Sequence, residues 1–311
     1  MPNEPGPRSP RNRTLTLSTD EEPRFRERLL VPRPGESLDA PTLENRIVNA
    51  DLFRLLPALP RGFADLVIAD PPYNLDKDFH GNRFKSMSSA EYESYVDSWL
   101  PAVLACAKPG ASIYVCCDWK SSSAVYSALS RHATVRNRIT WQREKGRGAE
   151  HNWKNCSEDI WYATLSNDYY FDVGAVMHRK RVIAPYRENG VPKDWQLTDE
   201  GKFRLTHPSN FWDDITVPYW SMSENTDHPT QKPEKLLAKL ILASSAPGDL
   251  VFDPFAGSGS TAVAAKKLGR RYSCVEQNET YCLWAEKRLG QAEVDRTIQG
   301  YVDGVFKERN S

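Results

Sequence analysis

The sequence predicts an α/β protein in which a doubly wound, mostly parallel sheet is covered by helices on both faces. Three observations carry this. Runs with strand period alternate with runs of helical period along both halves of the 311-residue chain. In the C-terminal half the apolar run "DLVFDPF" (249–255) passes through two glycines straight into a helical pattern. Between the halves, 166–228 loses all periodicity; a 60-residue structureless loop is unusual in a compact domain, so this stretch reads as an inserted small subdomain.

In order along the chain, residues 1–34 hold seven prolines among scattered polar residues, and a mobile arm is expected there. Ordered structure is expected from "RIVNA" (46–50), a short strand followed by Asp51 and a helical turn. "ADLVIAD" (64–70) is the next strand. "SSAEYESYVDSWLPAVLACA" (88–107) has apolar residues at 92, 96, 99, 103 and 104, helical spacing after a serine cap. "ASIYVCCD" (111–118) returns to strand, "SSAVYSALSRHA" (122–133) to helix, and "RNRITWQRE" (136–144) and "EDIWYATL" (158–165) to strand. After the insertion come helix 233–246, strand 249–255, helix 260–269, strand 271–277 and helix 279–291. The organisation is therefore an arm (1–34), one half-domain (35–165), the insertion (166–228), the second half (229–292) and a tail (293–311).

Composition narrows the classes. At 40% hydrophobic and 26% charged, the chain is that of a soluble globular protein, with no apolar run long enough to span a membrane and no signal-peptide core, so a cytoplasmic location is expected. The six cysteines form no CxxC pair, which argues against a zinc site; no metal is expected, and free thiols fit the same compartment. The 41 basic residues balance 41 acidic ones, so net charge neither indicates nor excludes a nucleic-acid partner.

Two short stretches carry chemistry. In "ADPPYNL" (69–75), Asp70, Pro71, Pro72 and Tyr73 leave a strand. Each proline fixes its own φ and lacks an N–H, so the exit is stiff, with a carboxylate at one end and an aromatic ring at the other. By itself it reads as an ordinary turn, since prolines after acids are common loop punctuation. In "DLVFDPFAGSGSTAVAAKKLG" (249–269), Gly257 and Gly259 let the backbone pass close to a ligand, and Ser260 opens a helix with free N–H groups. The next strand ends in Glu276, 23 residues after Asp253, the spacing at which α/β nucleotide folds place an acid on ribose hydroxyls. There is no full GxGxxG and no Walker lysine, and Asp253 would repel phosphate but attract a cation. A ligand with ribose, adenine and a positive centre but no phosphate is S-adenosylmethionine.

Together, "DPPY" (70–73) and "FAGSGS" (255–260) resemble the catalytic and cofactor motifs of the DNA amino-methyltransferases. The catalytic motif comes first and the cofactor loop about 180 residues later, an order similar to that of the β class, as is "HPTQKP" (228–233) just upstream of the cofactor strand and "FWDDITVP" (211–218) before it. The resemblance spans roughly 45–290. It implies an S-adenosylmethionine-dependent methyltransferase (Rossmann-like) fold in which the insertion recognises the target. It further implies that Asp70 and the Pro71 carbonyl accept both hydrogens of an exocyclic amine, and that Tyr73 stacks on a flipped base. Phe255, Ala256, Gly257, Ser258, Gly259 and Ser260 would form the cofactor loop after Pro254, with Asp253 near the methionine ammonium, Glu276 on the ribose, Lys232 at the methionine carboxylate and Asp51 near the cofactor's adenine. For Asp51 a plain helix cap fits as well; His228 reads as structural.

Asp at position 70 points to adenine-N6, with cytosine-N4 as the alternative; the absence of a Pro-Cys pair excludes carbon-5 cytosine chemistry of the covalent kind. Within the class the chain resembles modification methylases of GAATTC, which implies double-stranded DNA as partner and a cognate restriction endonuclease without required contact. Protein-glutamine and RNA methyltransferases share a similar motif but place the glycines before it, and a non-catalytic binding module gives no reason for both motifs to be intact. Backbone contacts to DNA are expected from 136–154, with seven basic residues (His151 included) and two tryptophans, and closure over the base from 75–86. The sequence sets no oligomeric state.

Overall fold

The computed structural model describes residues 9–79, 81–143, 150–183 and 185–308. Eight strands form the central sheet: β1 (Arg46–Asn49), β2 (Ala64–Ala69), β3 (Ala107–Asp118), β4 (Thr134–Gln142), β5 (Ser157–Thr164), β6 (Phe211–Trp212), β7 (Leu250–Asp253) and β8 (Arg271–Glu276). Their order is β1-β8-β7-β2-β3-β5-β4-β6, and only β5 runs against the rest. Five principal helices cover it: α1 (Ser89–Cys106), α2 (Ser122–Ser130), α3 (Glu234–Ser244), α4 (Ser260–Lys267) and α5 (Glu279–Val294).

Successive strand residues point to opposite faces, so each strand feeds two cores. Val48, Val67, Ala69 and Phe252 pack with α1 and α2, whereas Ile47, Leu66, Ile68 and Val251 pack with α3, α4 and α5. The sheet is thus covered on both sides, as an apolar parallel strand such as "ADLVIA" requires. The start of α1 is set by a capping box between Ser88 and Glu91.

From β2 the chain winds outward through β3, while from β7 it winds the other way through β8. The crevice between the carboxyl ends of β2 and β7 is therefore the topological switch point, where α/β sheets bind ligands. Asp51, Glu276, Asp253 and Asp70 all stand at the carboxyl ends of the adjacent strands β1, β8, β7 and β2.

Two terminal segments differ from expectation. The arm is not loose from Ser9 onward: Arg13 N–H donates to Trp220 O and Leu15 N–H to Asn225 O, and Leu15 packs on Tyr281 and Trp284. Leu30 then bridges Val48 in parallel at the sheet edge. The prolines suit an extended peptide lying on a surface, and Leu15, Phe25 and Leu30 supply the apolar anchors. Leu15→Ala should lower stability by about 2 kcal/mol, read as a shift in the denaturant midpoint. The tail is likewise structured: the hairpin Tyr301–Val302/Val305–Lys307 turns on Asp303 and Gly304, both at positive φ, and joins a sheet with insertion strands His178–Arg181, Gly201–Thr206 and Gln196–Thr198. The insertion thus has the structure of its own that its length demanded, except that β6 belongs to the central sheet.

The insertion is fastened by buried charge. Asp214 receives Lys239 Nζ at 2.7 Å and Lys235 Nζ at 2.9 Å, both lysines coming from α3, and His178 stands 3.4 Å away. Burial, with the two lysines adding to it, pushes His178 down to about 4, so it stays neutral there. The described residues contain no helix long and apolar enough to cross a membrane and no cluster of ligands suited to a metal ion.

Candidate active site

At the end of β2, Asp70 leaves the sheet and the two prolines carry the chain away. Tyr92 of α1 donates its hydroxyl to the Pro72 carbonyl at 2.9 Å, and Asn74 clamps Met87 through both its amide groups at 2.7 Å. These bonds hold the turn, and Asp70, Pro71, Pro72 and Tyr73 all line the cavity described below.

Asp70 is not alone. Lys232 Nζ lies 2.7 Å from its Oδ2, and Tyr73 Oη lies 2.9 Å from its Oδ1. Both donors also approach Glu158 of β5, Tyr73 at 3.0 Å and Lys232 at 3.3 Å, and Arg143 pairs with the other oxygen of Glu158 at 2.7 Å. Burial raises Asp70 above the ordinary carboxylate range, with Lys232 opposing the shift. For Lys232 burial acts downward, but Asp70 and Glu158 outweigh it and hold the ammonium charged. Each Asp70 oxygen is left with acceptor capacity after these bonds.

Opposite this group the glycine loop crosses from β7 to α4. Asp253 accepts the Phe255 N–H at 2.9 Å, and Glu276 accepts Gly257 N–H at 2.9 Å and Asn278 N–H at 2.7 Å. Burial lifts both carboxyls to about 7. Beneath the loop, Arg288 donates to Ser258 O at 2.8 Å and Ser260 Oγ at 2.9 Å and pairs with Glu234 at 2.9 Å. Gly257 stands at φ +51°, a conformation that favours glycine, and a Cβ there would come to 3.0 Å from His228 Nε2.

These elements enclose one cavity of about 470 Å³, within the usual range for small-ligand sites. The sequence-predicted residues line it together, with one exception: Gly259 faces away, and its absent Cβ is what allows Ala285 of α5 to approach. Asp51 caps the helical turn Leu52–Leu55 by accepting Arg54 N–H, as its structural reading expects, and it also lines the cavity wall. His228 stacks edge-on against Tyr281 beside the loop. Lys232 is on the wall, turned to Asp70 and Glu158, and Tyr73 has its hydroxyl tied to the same pair. The hairpin Lys77–Phe79/Asn82–Phe84 contributes Lys77, Arg83 and Phe84 to the cavity's mouth; His80, like 144–149 of the basic stretch, lies outside the described residues.

Sequence reading missed Glu158, Arg143 and Thr261. The first had a signal: adjacent acids, Glu158 and Asp159, at the head of a strand that runs on as "IWYA" are costly to bury unless paired. Thr261 sits one residue beyond the glycine loop and bonds to Asp253 from the first turn of α4.

Two buried carboxyls beside a glycine cradle suit a ligand carrying a positive centre and hydroxyls, not one carrying phosphates. Comparison with known proteins agrees. Residues 64–287 match the N6/N4 family model described as DNA methylase. The DNA adenine methyltransferase YhdJ of Escherichia coli K12 is 32% identical over 258 residues, 79% of this chain and 83% of that one. Type II methyltransferase M.HpaI of Haemophilus parainfluenzae is 30% identical over 79% of this chain and 74% of its own. Among solved structures, the M1.HpyAVI–SAM complex aligns over 78% of this chain and 98% of its own, with a TM-score of 0.53 and 21% identity. The cytosine-N4-specific PvuII DNA methyltransferase aligns over 90% and 98%, with a TM-score of 0.56 and 17% identity. With the acid–proline turn and the glycine loop facing one cavity at the switch point, and the family's match running from β2 into α5, the chain belongs to the N6/N4 DNA methylases, which use S-adenosylmethionine.

Proposed function

We propose that this enzyme methylates the exocyclic N6 amine of an adenine flipped out of duplex DNA. We assign it, in the cytoplasm, the modification role of a restriction–modification system, acting at GAATTC and requiring no contact with its endonuclease. The observation that carries the reading is that Asp70 and Pro71, at the end of β2, line the same cavity as the glycine loop. The similarity to YhdJ supports adenine, the similarity to M.HpaI supports the type II setting, and the target sequence rests on the sequence resemblance alone.

An aromatic exocyclic amine is a poor nucleophile because its lone pair is delocalised into the ring. Two acceptors that bind both its hydrogens favour a pyramidal nitrogen and localise that pair. Asp70 and Pro71 are suited to this, and Tyr73 offers its ring to the base. S-adenosylmethionine supplies a methyl on a sulfonium, which leaves as a neutral thioether. The new N–C bond makes the amine cationic, and its excess proton passes to the Asp70 carboxylate; burial, which raises Asp70, favours that step. Asp253 is assigned to the methionine ammonium, Glu276 to the ribose hydroxyls and Asp51 to the cofactor's adenine. Lys232 is assigned to the methionine carboxylate as well as to Asp70. The exposed Arg138 and Trp153 are assigned to the DNA backbone, and the insertion to base reading.

Labelled methyl donor, unmethylated plasmid DNA and digestion to nucleosides should give N6-methyladenine as the labelled product, with mapping placing it in GAATTC. The same acceptor pair would serve cytosine-N4, so methylcytosine as sole product would overturn the adenine assignment. A different mapped sequence would overturn the target alone.

A further inference from the structure

Tyr73 Oη lies between two carboxylates, 2.9 Å from Asp70 and 3.0 Å from Glu158, yet a phenol has one hydrogen to give. If both carboxyls are ionised, only one of these contacts is a hydrogen bond. Lys232 has hydrogens enough for both carboxylates, but its single charge is shared between them, at 2.7 Å and 3.3 Å, while Arg143 compensates Glu158 from the far side. Glu158 keeps only 5% of its side chain exposed, and the chemistry above gives it no task.

We propose that Glu158 is a positioning residue for methyl transfer: by drawing on the hydrogen of Tyr73 and on Lys232, it leaves Asp70 under-compensated and therefore a stronger acceptor for the amine's hydrogens and proton. The inference rests on the role assigned to Asp70. Its logic is a count of hydrogens. Before transfer, one phenolic hydrogen serves two carboxylates. When the amine N–H breaks and an Asp70 O–H forms, Asp70 can donate to Tyr73 Oη while Tyr73 donates to Glu158, and every contact is satisfied. The proton stays on Asp70. Burial acts to raise Glu158, but Lys232 and Arg143 hold it below the ordinary range, whereas Asp70 lies above it.

Of the other titratable groups facing this cluster, Asp253 titrates within the range of the test in wild type and variants alike, so the test reads the shift of the limb between them. Cys116 and Cys117 are kept neutral by burial, Asp253 across the cavity is raised to about 7 by burial, and Asp118 opens with Glu158 onto a small side cavity.

The test is single-turnover methyl transfer by the full-length protein to plasmid DNA from a methylation-deficient host, across roughly pH 5 to 9. The wild type should lose rate on the acid side as Asp70 protonates. Glu158→Gln keeps the shape and an acceptor oxygen for Tyr73 but removes the charge, so Asp70 ionises more easily. The acid limb should move down by roughly one pH unit and the plateau should fall about tenfold, with cofactor affinity unchanged. Arg143→Gln should move the limb up by a similar amount, and it decides the matter alone if Glu158→Gln does not fold. A merely structural Glu158 would lower the melting temperature and leave the limb in place. A limb unmoved in the folded variants, or no acid limb in the wild type, overturns the proposal. An Asp70→Ala protein that still transfers methyl overturns the Asp70 assignment; an inactive one beside an unmoved Glu158→Gln limb overturns only the inference about Glu158.

Discussion

Asp70→Ala should reduce the single-turnover rate of methyl transfer by about 10³-fold or more while cofactor affinity changes less than about threefold. The separation follows from the position of the residue. Asp70 follows β2, whereas the walls assigned to the cofactor, Asp253, Glu276 and the glycine loop, are carried by β7 and β8 and held by their own bonds to Phe255, Gly257 and Asn278. Removing the carboxylate deletes one acceptor of the pair and the destination of the amine's proton, both of which matter only as the transition state forms. It also leaves Lys232 with Glu158 alone, so the lysine stays paired and the turn, still clamped by Tyr92 and Asn74, keeps its shape. Calorimetric titration of the cofactor beside the labelled-methyl assay checks both halves. A fully active variant would remove Asp70 from the mechanism.

The parts of this arrangement that could be read from sequence are those with a local cause. The strands of the core announce themselves because "ADLVIA" and "LVFD" are buried on both faces and so are continuously apolar. The DPPY turn and the glycine loop are legible because proline and glycine restrict or free the backbone wherever they stand. What brings them together is not local: β2 and β7 are neighbours only because the chain crosses over the sheet, and Val251↔Leu66 is a pairing between distant segments. Glu158 was missed for that reason, since its partners Lys232, Tyr73 and Arg143 come from three separate stretches. The arm was misread because a proline-rich composition says that a segment is extended, not whether a surface lies under it; Leu15 finds Tyr281 and Trp284 nearly the whole chain away. The tail's hairpin did carry a local signal in Asp303-Gly304, a pair suited to a tight turn at positive φ. Gly259 shows the opposite case, a motif residue whose place in the loop was evident but whose task was not.

Gly259→Val should be the most damaging single substitution in that loop, and through packing rather than through the ligand. Gly259 sits at φ +77°, in the left-handed region, immediately before α4, and a Cβ built there would overlap Ala285 Cβ and stand 3.0 Å from its Cα. Left-handed strain in a β-branched residue and the overlap together cost about 4 kcal/mol, enough to lower the melting temperature by roughly 5–10 °C in a chain of this size. Relief would require α4 and α5 to part. Ser260 and Thr261 of the first turn would then withdraw from the cavity wall, and the Arg288 bonds under Ser258 and Ser260 would lengthen. Gly257→Ala is the matched control. It carries left-handed strain of about 1 kcal/mol, but its Cβ meets only the far end of the His228 side chain and no backbone, while its N–H must still reach Glu276. That variant should keep most of its thermal stability and lose cofactor affinity instead. Melting curves and cofactor titrations of the two proteins therefore separate a glycine needed for helix packing from one needed for the ligand. Equal melting temperatures for the Gly259 variant and the wild type would refute the packing role.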